Sequence, residues 1–260
     1  MSTRQNSDYR EVLKRLGSAR SVIAFTGAGI SAESGIPTFR RNGLDSGGLW
    51  GEYRVEEVAT PEAFQKNPKL VWDFYLERRA RAFGANPNQA HVTIAEWEKQ
   101  FPFAGVVTQN IDGLHAKAGS VNIQELHGNL WKVRCTKCDF VGLDKDEIAE
   151  AGFRGPGEET SPLPTCPNCS HLLRPHIVWF GEPLDFDVIQ TSLQWMKKAD
   201  VIFAVGTSGV VEPAASFVRE AKYEGAFLVE INIEPTALSP IADISLFGKS
   251  GDIFGERLKL

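Results

Sequence analysis

The sequence has no apolar run that approaches the ~18 residues of a membrane-spanning helix, and it has no excess of basic residues. Lysine and arginine number 28 against 33 aspartates and glutamates, which gives a net charge of −5. Nucleic-acid binding needs a basic surface that displaces counterions, so we expect neither a membrane nor a stable nucleic-acid partner.

Residues 1–20 lack the apolar core of a secretion signal, so we expect a cytoplasmic protein. The sequence is silent on oligomeric state, and our expectation is a monomer.

Cysteine is scarce, and its four copies are clustered between residues 135 and 169. They form two Cys-x-x-Cys pairs, Cys135 with Cys138 and Cys166 with Cys169. Each pair can present two thiolates to one tetrahedral Zn²⁺, and four protein ligands leave no open position for a catalytic water. The sequence therefore predicts one structural zinc ion. A redox-active Cys-x-x-Cys is the alternative, which the presence of two pairs disfavours.

Most of the chain alternates short apolar runs with amphipathic segments, a pattern typical of the α/β class with a parallel sheet. The predicted strands are 21–26, 103–108, 121–126, 174–180, 201–205 and 227–231, and the main predicted helices are 8–19, 68–83, 88–100, 187–197 and 213–222. We expect a Rossmann-like parallel-sheet domain with an inserted small domain made of a zinc ribbon and a helical module. Its predicted parts are 1–40, 84–130 and 175–260 for the sheet domain, 41–83 for the cofactor loop and helices, and 131–174 for the zinc module.

Small or polar residues follow several of the predicted strands, although the Gly-x-Gly-x-x-Gly fingerprint of hydride-transfer proteins is missing. They are Gly27-Ala28-Gly29, Gln109-Asn110-Ile111-Asp112, Gly206-Thr207-Ser208 and Asn232. The carboxyl ends of parallel strands share one edge of the sheet, where nucleotides bind. Glycines there let backbone N–H groups approach a phosphate, and Ser31 can add a hydroxyl donor. We predict a dinucleotide site whose reaction breaks the cofactor, although one glycine turn alone is equally consistent with an ordinary tight turn.

Two histidines lie close to this edge. His127 follows the predicted strand 121–126 and is a candidate general base near neutral pH, with a hydrogen-bonded core histidine as the alternative. His115, one helical turn beyond Asp112, is expected to be a structural group. The long loop 37–54 is interpreted as a lid or as an ordinary surface loop, with Phe39 and Arg40 at its start.

Taken together and in order, these motifs closely resemble the sirtuin family of NAD-dependent protein deacylases, over about residues 20 to 250. The residues that carry the resemblance are Gly27-Ala28-Gly29-Ile30-Ser31, Gly35-Ile36-Pro37-x-Phe39-Arg40, Thr108-Gln109-Asn110-Ile111-Asp112, His127-Gly128, the two Cys-x-x-Cys pairs, the segment Pro175 to Glu182 and Gly206-Thr207-Ser208. The resemblance implies NAD as co-substrate, an acyl-lysine protein or peptide as substrate, and nicotinamide, acyl-ADP-ribose and free lysine as products.

The resemblance also implies residue roles. The adenosine and phosphates would be held by Gly27, Ala28, Gly29, Gly206, Thr207, Ser208 and Asn232, with an adenine contact near Ile253. Ser31 and Gln109 would also bind the cofactor. Phe39 and Arg40 would close over the nicotinamide ribose, and Asn110 and Asp112 would line the nicotinamide pocket. His127 would be the base. One side of a β-type clamp on the substrate peptide would come from Val178, Phe180 and Gly181.

Members of the family that prefer negatively charged acyl groups carry Tyr-x-x-Arg, and Tyr75-Leu76-Glu77-Arg78 matches that motif. A phenol and a guanidinium at i,i+3 can bind a distal carboxylate through charge-assisted hydrogen bonds. Ala59 is small and would leave room for a longer acyl chain. We therefore expect removal of succinyl or malonyl groups as well as acetyl. A simple deacetylase, a mono-ADP-ribosyltransferase and a zinc-ribbon binding module remain the alternatives.

Overall fold

The computed structural model describes residues 3–38, 53–143, 163–256 and 258. Its strands, in chain order, are β1 Ser21–Thr26, β2 Phe103–Thr108, β3 Ile123–Glu125, β4 Gly128–Cys135, β5 Val141–Leu143, β6 Leu173–Ile177, β7 Val201–Val205, β8 Phe227–Asn232 and β9 Ile244–Phe247. Six of them form one sheet in the order β3-β2-β1-β7-β8-β9, and every pair in it is parallel. The predicted α/β class and parallel sheet are confirmed.

The helices among the described residues connect and cover these strands. They are α1 Thr3–Ser18, α2 Val55–Val58, α3 Pro61–Lys66, α4 Pro68–Gly84, α5 Gln89–Gln100, α6 Leu114–Lys117, α7 Phe186–Lys197, α8 Ala214–Tyr223 and α9 Ser250–Glu256, with a 3₁₀ helix at Ala28–Ser34. No helix in the described ranges is both long enough and apolar enough to cross a membrane.

The central strands are buried on both faces because helices pack on each side of the sheet. Strand β7 shows this most clearly, since all five of its residues are buried. On one face the Trp97 ring of α5 lies 4.8 Å from that of Phe203 and 5.5 Å from that of Phe254. Burial on both faces explains why these strands read as continuous apolar runs in the sequence.

A second, antiparallel sheet of three strands, in the order β5-β4-β6, carries the cysteines. Helices α2, α3 and α4 contribute side chains to the same hydrophobic cluster as β4 and β6. At one end of this sheet Gly128 pairs with Ile177, so the segments that lead from it into the main sheet lie side by side. The division into parts at 41–83 and 131–174 stays a prediction.

Several boundaries differ from the sequence-based ones. The predicted strand 174–180 ends at Ile177, and the predicted strand 121–126 is reduced to Ile123–Glu125. The first glycine turn leads directly into a 3₁₀ helix of 7 residues, Ala28–Ser34. Strands β4, β5 and β9 and helices α2, α6 and α9 were not predicted.

Candidate active site

Residues at the ends of three strands of the main sheet, β2, β7 and β8, are linked by hydrogen bonds. Gln109, just after β2, donates from Nε2 to Thr207 Oγ1 at 2.9 Å, beyond the end of β7. Asn232, the last residue of β8, donates from Nδ2 to the Thr207 carbonyl at 3.0 Å. The predicted convergence of the strand-end motifs at one edge of the sheet is therefore present, and Thr207 lies at its centre.

The glycines of the first and third turns are in direct contact with each other. Gly29 N–H donates to the Gly206 carbonyl at 2.8 Å, and a Cβ on Gly29 would lie 2.6 Å from Gly206 Cα. Gly206 itself has a φ of +60°, and a Cβ there would clash with the backbone nitrogen of Ile30. These glycines are thus required by the packing of two turns, whether or not a phosphate binds beside them.

Asn110, Ser31 and Asp112 form a compact polar cluster beside the glycine turns. Asn110 Nδ2 donates to the Gly27 carbonyl and to Ser31 Oγ, at 3.2 Å each. The Ser31 hydroxyl donates to Asp112 Oδ2 at 2.8 Å, while Oδ1 accepts from Leu114 N–H at 2.9 Å. Asp112 is only 7% exposed, and this burial raises the pKa of its carboxyl group. The cluster holds a buried acid and an amide in fixed orientations.

Two buried histidines lie behind this cluster. His115 is 2% exposed, and its Nε2 lies 3.0 Å from Thr26 Oγ1, as expected of a structural group. His91 was not predicted; its Nδ1 accepts from Asn88 N–H at 3.3 Å, and its Nε2 lies 3.5 Å from Ser31 Oγ. Burial lowers the pKa of His91 to about 4, so the ring is neutral at neutral pH. Asn88 and His91 are three residues apart and form a capping box at the start of α5. This spacing is the one feature of the sequence from which the position of His91 could have been predicted.

His127 is held in one tautomer. Its Nδ1 lies 3.0 Å from the Gln109 carbonyl oxygen, and because a carbonyl can only accept, Nδ1 carries the proton and Nε2 holds the lone pair. Burial lowers the pKa of His127, although the Gln109 bond acts in the opposite direction. The imidazole is therefore neutral near pH 7, which is the form that a general base requires.

The segment after β6 leads past this histidine. Val178 N–H donates to the His127 carbonyl at 3.0 Å, and Phe180 N–H donates to the Ala59 carbonyl at 3.0 Å. Both donors are used within the protein, so an incoming strand that pairs here must use carbonyl oxygens or the N–H of Gly181. Gly181 has a φ of +87°, which ends the extended conformation at that residue.

Tyr75 and Arg78 lie on α4, and Tyr75 belongs to the same hydrophobic cluster as Ala59. Tyr75 is 3% exposed, and its hydroxyl accepts from Trp179 Nε1 at 3.0 Å. Burial also raises the pKa of Tyr75, so the phenol keeps its proton. The Arg78 guanidinium lies over the Phe74 ring, 3.1 Å from its centroid, and Nη1 donates to the Phe74 carbonyl at 2.8 Å.

Trp179 lies in the segment after β6 and connects it to Tyr75 of α4, a role that was not predicted. The Arg174 guanidinium lies 3.7 Å from its ring centroid. Glu182 accepts from Trp179 N–H at 2.9 Å and from both terminal nitrogens of Arg174 at 2.7 Å. This ion pair fixes the orientation of the indole, and the indole in turn fixes the Tyr75 hydroxyl.

The four cysteine sulfurs form the cluster predicted from their spacing, with all four within 4.8 Å of one another. The Sγ of Cys169 lies 3.4 Å from that of Cys135 and 3.5 Å from that of Cys138, and the Cys138–Cys166 separation is 3.6 Å. These distances exclude disulfides. They are close to the ~3.8 Å edge of a tetrahedron with 2.3 Å Zn–S bonds. The donor set thus fits one zinc ion.

Not every predicted site residue joins the strand-end cluster. Phe39 and Arg40, like most of the loop 37–54, fall outside the described residues. Ile253 is 5% exposed and belongs to the hydrophobic core together with Ile30 and Phe254. Its predicted contact with adenine stays a prediction.

Comparison with known proteins identifies the family. The Sir2 family model matches residues 27–213. The NAD-dependent protein deacylase of Pyrococcus furiosus is 52% identical over 243 residues, which is 94% of each chain. A solved Sir2 homologue–NAD complex is 44% identical with a TM-score of 0.83, covering 96% of this chain and 92% of the other. A solved complex of Sir2 with p53 peptide and NAD+ is 32% identical with a TM-score of 0.80, covering 95% of each chain. The chain described here, with its hydrogen-bonded residues at the strand ends and its four-cysteine cluster, belongs to the Sir2 family.

Proposed function

We propose that this protein is an NAD-dependent protein-lysine deacylase that removes acetyl groups and also succinyl and malonyl groups. The observation that carries the proposal is the tautomer of His127, whose Nδ1 bond to the Gln109 carbonyl leaves Nε2 as the basic nitrogen. This base follows β3, which pairs with β2, the strand that Asn110 and Asp112 follow. The relative from Pyrococcus furiosus, named an NAD-dependent protein deacylase, supports the reaction class.

The strand-end cluster fits a dinucleotide because it combines close-packed glycine backbone with hydroxyl and amide groups. The phosphates and adenosine are assigned to the turns at Gly27, Gly29 and Gly206, with Thr207 and Asn232 beside them. When bound, NAD supplies a ribose carbon that becomes electrophilic as nicotinamide leaves. Phe39 and Arg40 are assigned to that ribose by the family resemblance alone.

Asn110 and Asp112 are assigned to the nicotinamide pocket. Asn110 Nδ2 is held by the Gly27 carbonyl and Ser31 Oγ, which leaves the amide oxygen as an acceptor whose position is fixed. Asp112 is buried and receives two hydrogen bonds. A rigid pocket from which water is excluded would favour displacement of nicotinamide by the acyl-lysine carbonyl oxygen and disfavour hydrolysis.

His127 Nε2 is assigned to remove a proton from a ribose hydroxyl. The Nδ1 proton stays on the ring and is donated to the Gln109 carbonyl throughout, and this hydrogen bond would stabilise the imidazolium that forms. Because burial lowers the pKa of His127, the base is available at and below neutral pH. The ring remains on a short, fixed segment, since its own carbonyl accepts from Val178 N–H.

The acyl-lysine chain is assigned to the space between the segment after β6 and helix α4. Ala59 contributes to both sides, because its carbonyl accepts from Phe180 N–H and its side chain belongs to the hydrophobic cluster of Tyr75 and Trp179. A distal carboxylate on the acyl group would meet the neutral Tyr75 phenol and the charged Arg78 guanidinium. Val178, Phe180 and Gly181 are assigned to the backbone of the substrate peptide.

The test uses one peptide sequence carrying either acetyl-lysine or succinyl-lysine, with zinc-loaded protein and NAD. We expect equimolar nicotinamide and free-lysine peptide from both substrates, and neither product from the His127→Ala variant. Nicotinamide release without free lysine, together with ADP-ribose found on protein by mass spectrometry, would show a mono-ADP-ribosyltransferase. No nicotinamide release from either peptide would show a binding module, and turnover of the acetyl peptide alone would show a simple deacetylase.

A further inference from the structure

Glu230 is a buried acid in the middle of the main sheet. It lies on β8, where it pairs with Ala204 of β7 and Ser245 of β9, and it is 1% exposed. In the described part of the chain no lysine or arginine forms an ion pair with it. A carboxylate in such a place is costly unless hydrogen bonds replace its hydration, so its partners must account for its presence.

Those partners are three hydroxyl groups. Oε1 accepts from Thr236 Oγ1 at 2.5 Å, and Oε2 accepts from Ser239 Oγ at 2.7 Å and from Ser245 Oγ at 2.6 Å. Thr236 Oγ1 also accepts from Leu238 N–H at 3.1 Å, and Ser239 Oγ accepts from Thr236 N–H at 2.8 Å. With those lone pairs occupied, the hydroxyl protons point at Glu230. The carboxylate thereby fixes the shape of the loop 233–243 between β8 and β9.

This loop packs on the turn that follows β7. The buried Leu238 side chain fills the space beside Gly209, where a Cβ would lie 2.5 Å from Leu238 Cγ. Ala237 N–H also reaches the Ser208 carbonyl, at 3.4 Å. On its other side the turn is held by Asn232, which donates to the Thr207 carbonyl at 3.0 Å. The turn at residues 206–209 is therefore positioned by β8 and by the loop that Glu230 organises.

We propose that Glu230 is a positioning residue for the dinucleotide, which acts through the loop 233–243 on the turn at residues 206–209. The inference rests on the proposed binding of NAD at that turn. It predicts a specific defect: loss of the carboxylate weakens NAD binding while the His127 base and the acyl-lysine pocket, on other segments, keep their function. General loss of stability would instead affect all of these together.

The main test is Glu230→Gln in the full zinc-loaded protein, with Ser245→Ala as a milder variant that removes one of the three hydroxyl donors. Glu224→Gln is the matched control, because Glu224 is exposed at the end of α8. The measurements are the Kd for NAD by titration calorimetry, KM for NAD, KM for acetyl-lysine peptide, kcat and the melting temperature. We expect Glu230→Gln to raise both NAD constants about tenfold, the loss of roughly one charged hydrogen bond. Ser245→Ala should raise them less.

Peptide KM and kcat should stay within about twofold of the wild type, and Glu224→Gln should change nothing. Unchanged NAD constants in Ser245→Ala and in folded Glu230→Gln would overturn this inference alone. Equal increases in KM for NAD and for peptide, accompanied by a lower melting temperature, would also overturn it. Failure of the wild-type protein to bind NAD would overturn the proposed function and this inference with it. If Glu230→Gln does not fold, Ser245→Ala decides the question by the same criteria.

Discussion

Replacement of Arg78 by methionine should reduce the removal of succinyl and malonyl groups and leave the removal of acetyl groups nearly unchanged. Arg78 lies over the Phe74 ring and donates to the Phe74 carbonyl at 2.8 Å, so its guanidinium has a defined position on α4. Burial lowers its pKa, to about 10, which leaves it charged at the pH of any deacylation assay. The charge can therefore act on a succinyl or malonyl carboxylate, whereas an acetyl group offers nothing for it to pair with.

A hydrogen bond to a charged group contributes about 1.5–3 kcal/mol. Arg78→Met should therefore lower kcat/KM for succinyl-lysine peptide by about 10- to 100-fold and leave the acetyl-lysine value within about twofold. Arg81→Met is the control, since Arg81 lies one turn farther along α4 and pairs with Glu77 at 2.5 Å. Both peptides share one sequence and saturating NAD, and free lysine is quantified by mass spectrometry. An unchanged ratio of succinyl to acetyl turnover in Arg78→Met would refute the assignment of this residue to the acyl carboxylate.

Three further predictions concern other parts of the site. Trp179→Phe removes the indole N–H that donates to Tyr75 at 3.0 Å, and we expect a several-fold loss of desuccinylation with little change in deacetylation; equal losses for both peptides would contradict this. Because burial lowers the pKa of His127 and the neutral ring is the active form, kcat/KM should fall as pH drops and reach half its plateau below the ordinary histidine value of about 6.5; a midpoint above that value would contradict the assignment. Removal of zinc by a strong chelator should abolish activity and lower the melting temperature, since structural zinc contributes about 10 kcal/mol or more to folding in small modules; full stability after verified metal loss would exclude a structural ion.

Zinc binding should affect the candidate active site because one end of the three-stranded sheet lies beside His127. Strand β4 begins directly after His127, and Gly128 pairs with Ile177 at the last position of β6. The next residue, Val178, donates to the His127 carbonyl at 3.0 Å. The cysteines at the other end of β4 thus hold the strands that carry the candidate base and the peptide edge. Loss of zinc should reach the active site through these two strands.

The parallel sheet and the cysteine cluster were predictable because their signals are local. Strands buried on both faces, such as β1 and β7, produce continuous apolar runs, and paired Cys-x-x-Cys spacing reflects the geometry of one tetrahedral ion. The short edge strand β9 carries no comparable run, since only Leu246 of its four residues is buried. The position of β9 is set by its pairing with β8. Such a contact between two segments produces no periodic pattern in the sequence of β9.

The same distinction applies to the site residues. His127 and Asp112 could be singled out because polar groups at a strand end are unusual in their local sequence. His91, Trp179 and Glu230 could not, because each acquires its partners from distant segments. Trp179 meets Tyr75, 104 positions away in sequence, and His91 meets Ser31, 60 positions away. The sequence thus pointed to the groups expected to touch the reactants, and the structure adds the groups that hold them.

The glycine turns show that a sequence motif can have a structural cause that is separate from its proposed function. Gly29 and Gly206 are excluded from carrying side chains by their contact with each other, so their presence would be explained even in a protein that binds no phosphate. What a packing constraint does not explain is the set of polar groups around them: Gln109 on Thr207, Asn232 on the Thr207 carbonyl and Asn110 on the Gly27 carbonyl. These bonds orient three turns from different strands toward one edge. The case for a dinucleotide therefore rests on this hydrogen-bonded arrangement more than on the glycines, and substitution of Gln109 or Asn232 tests it more directly than substitution of any glycine.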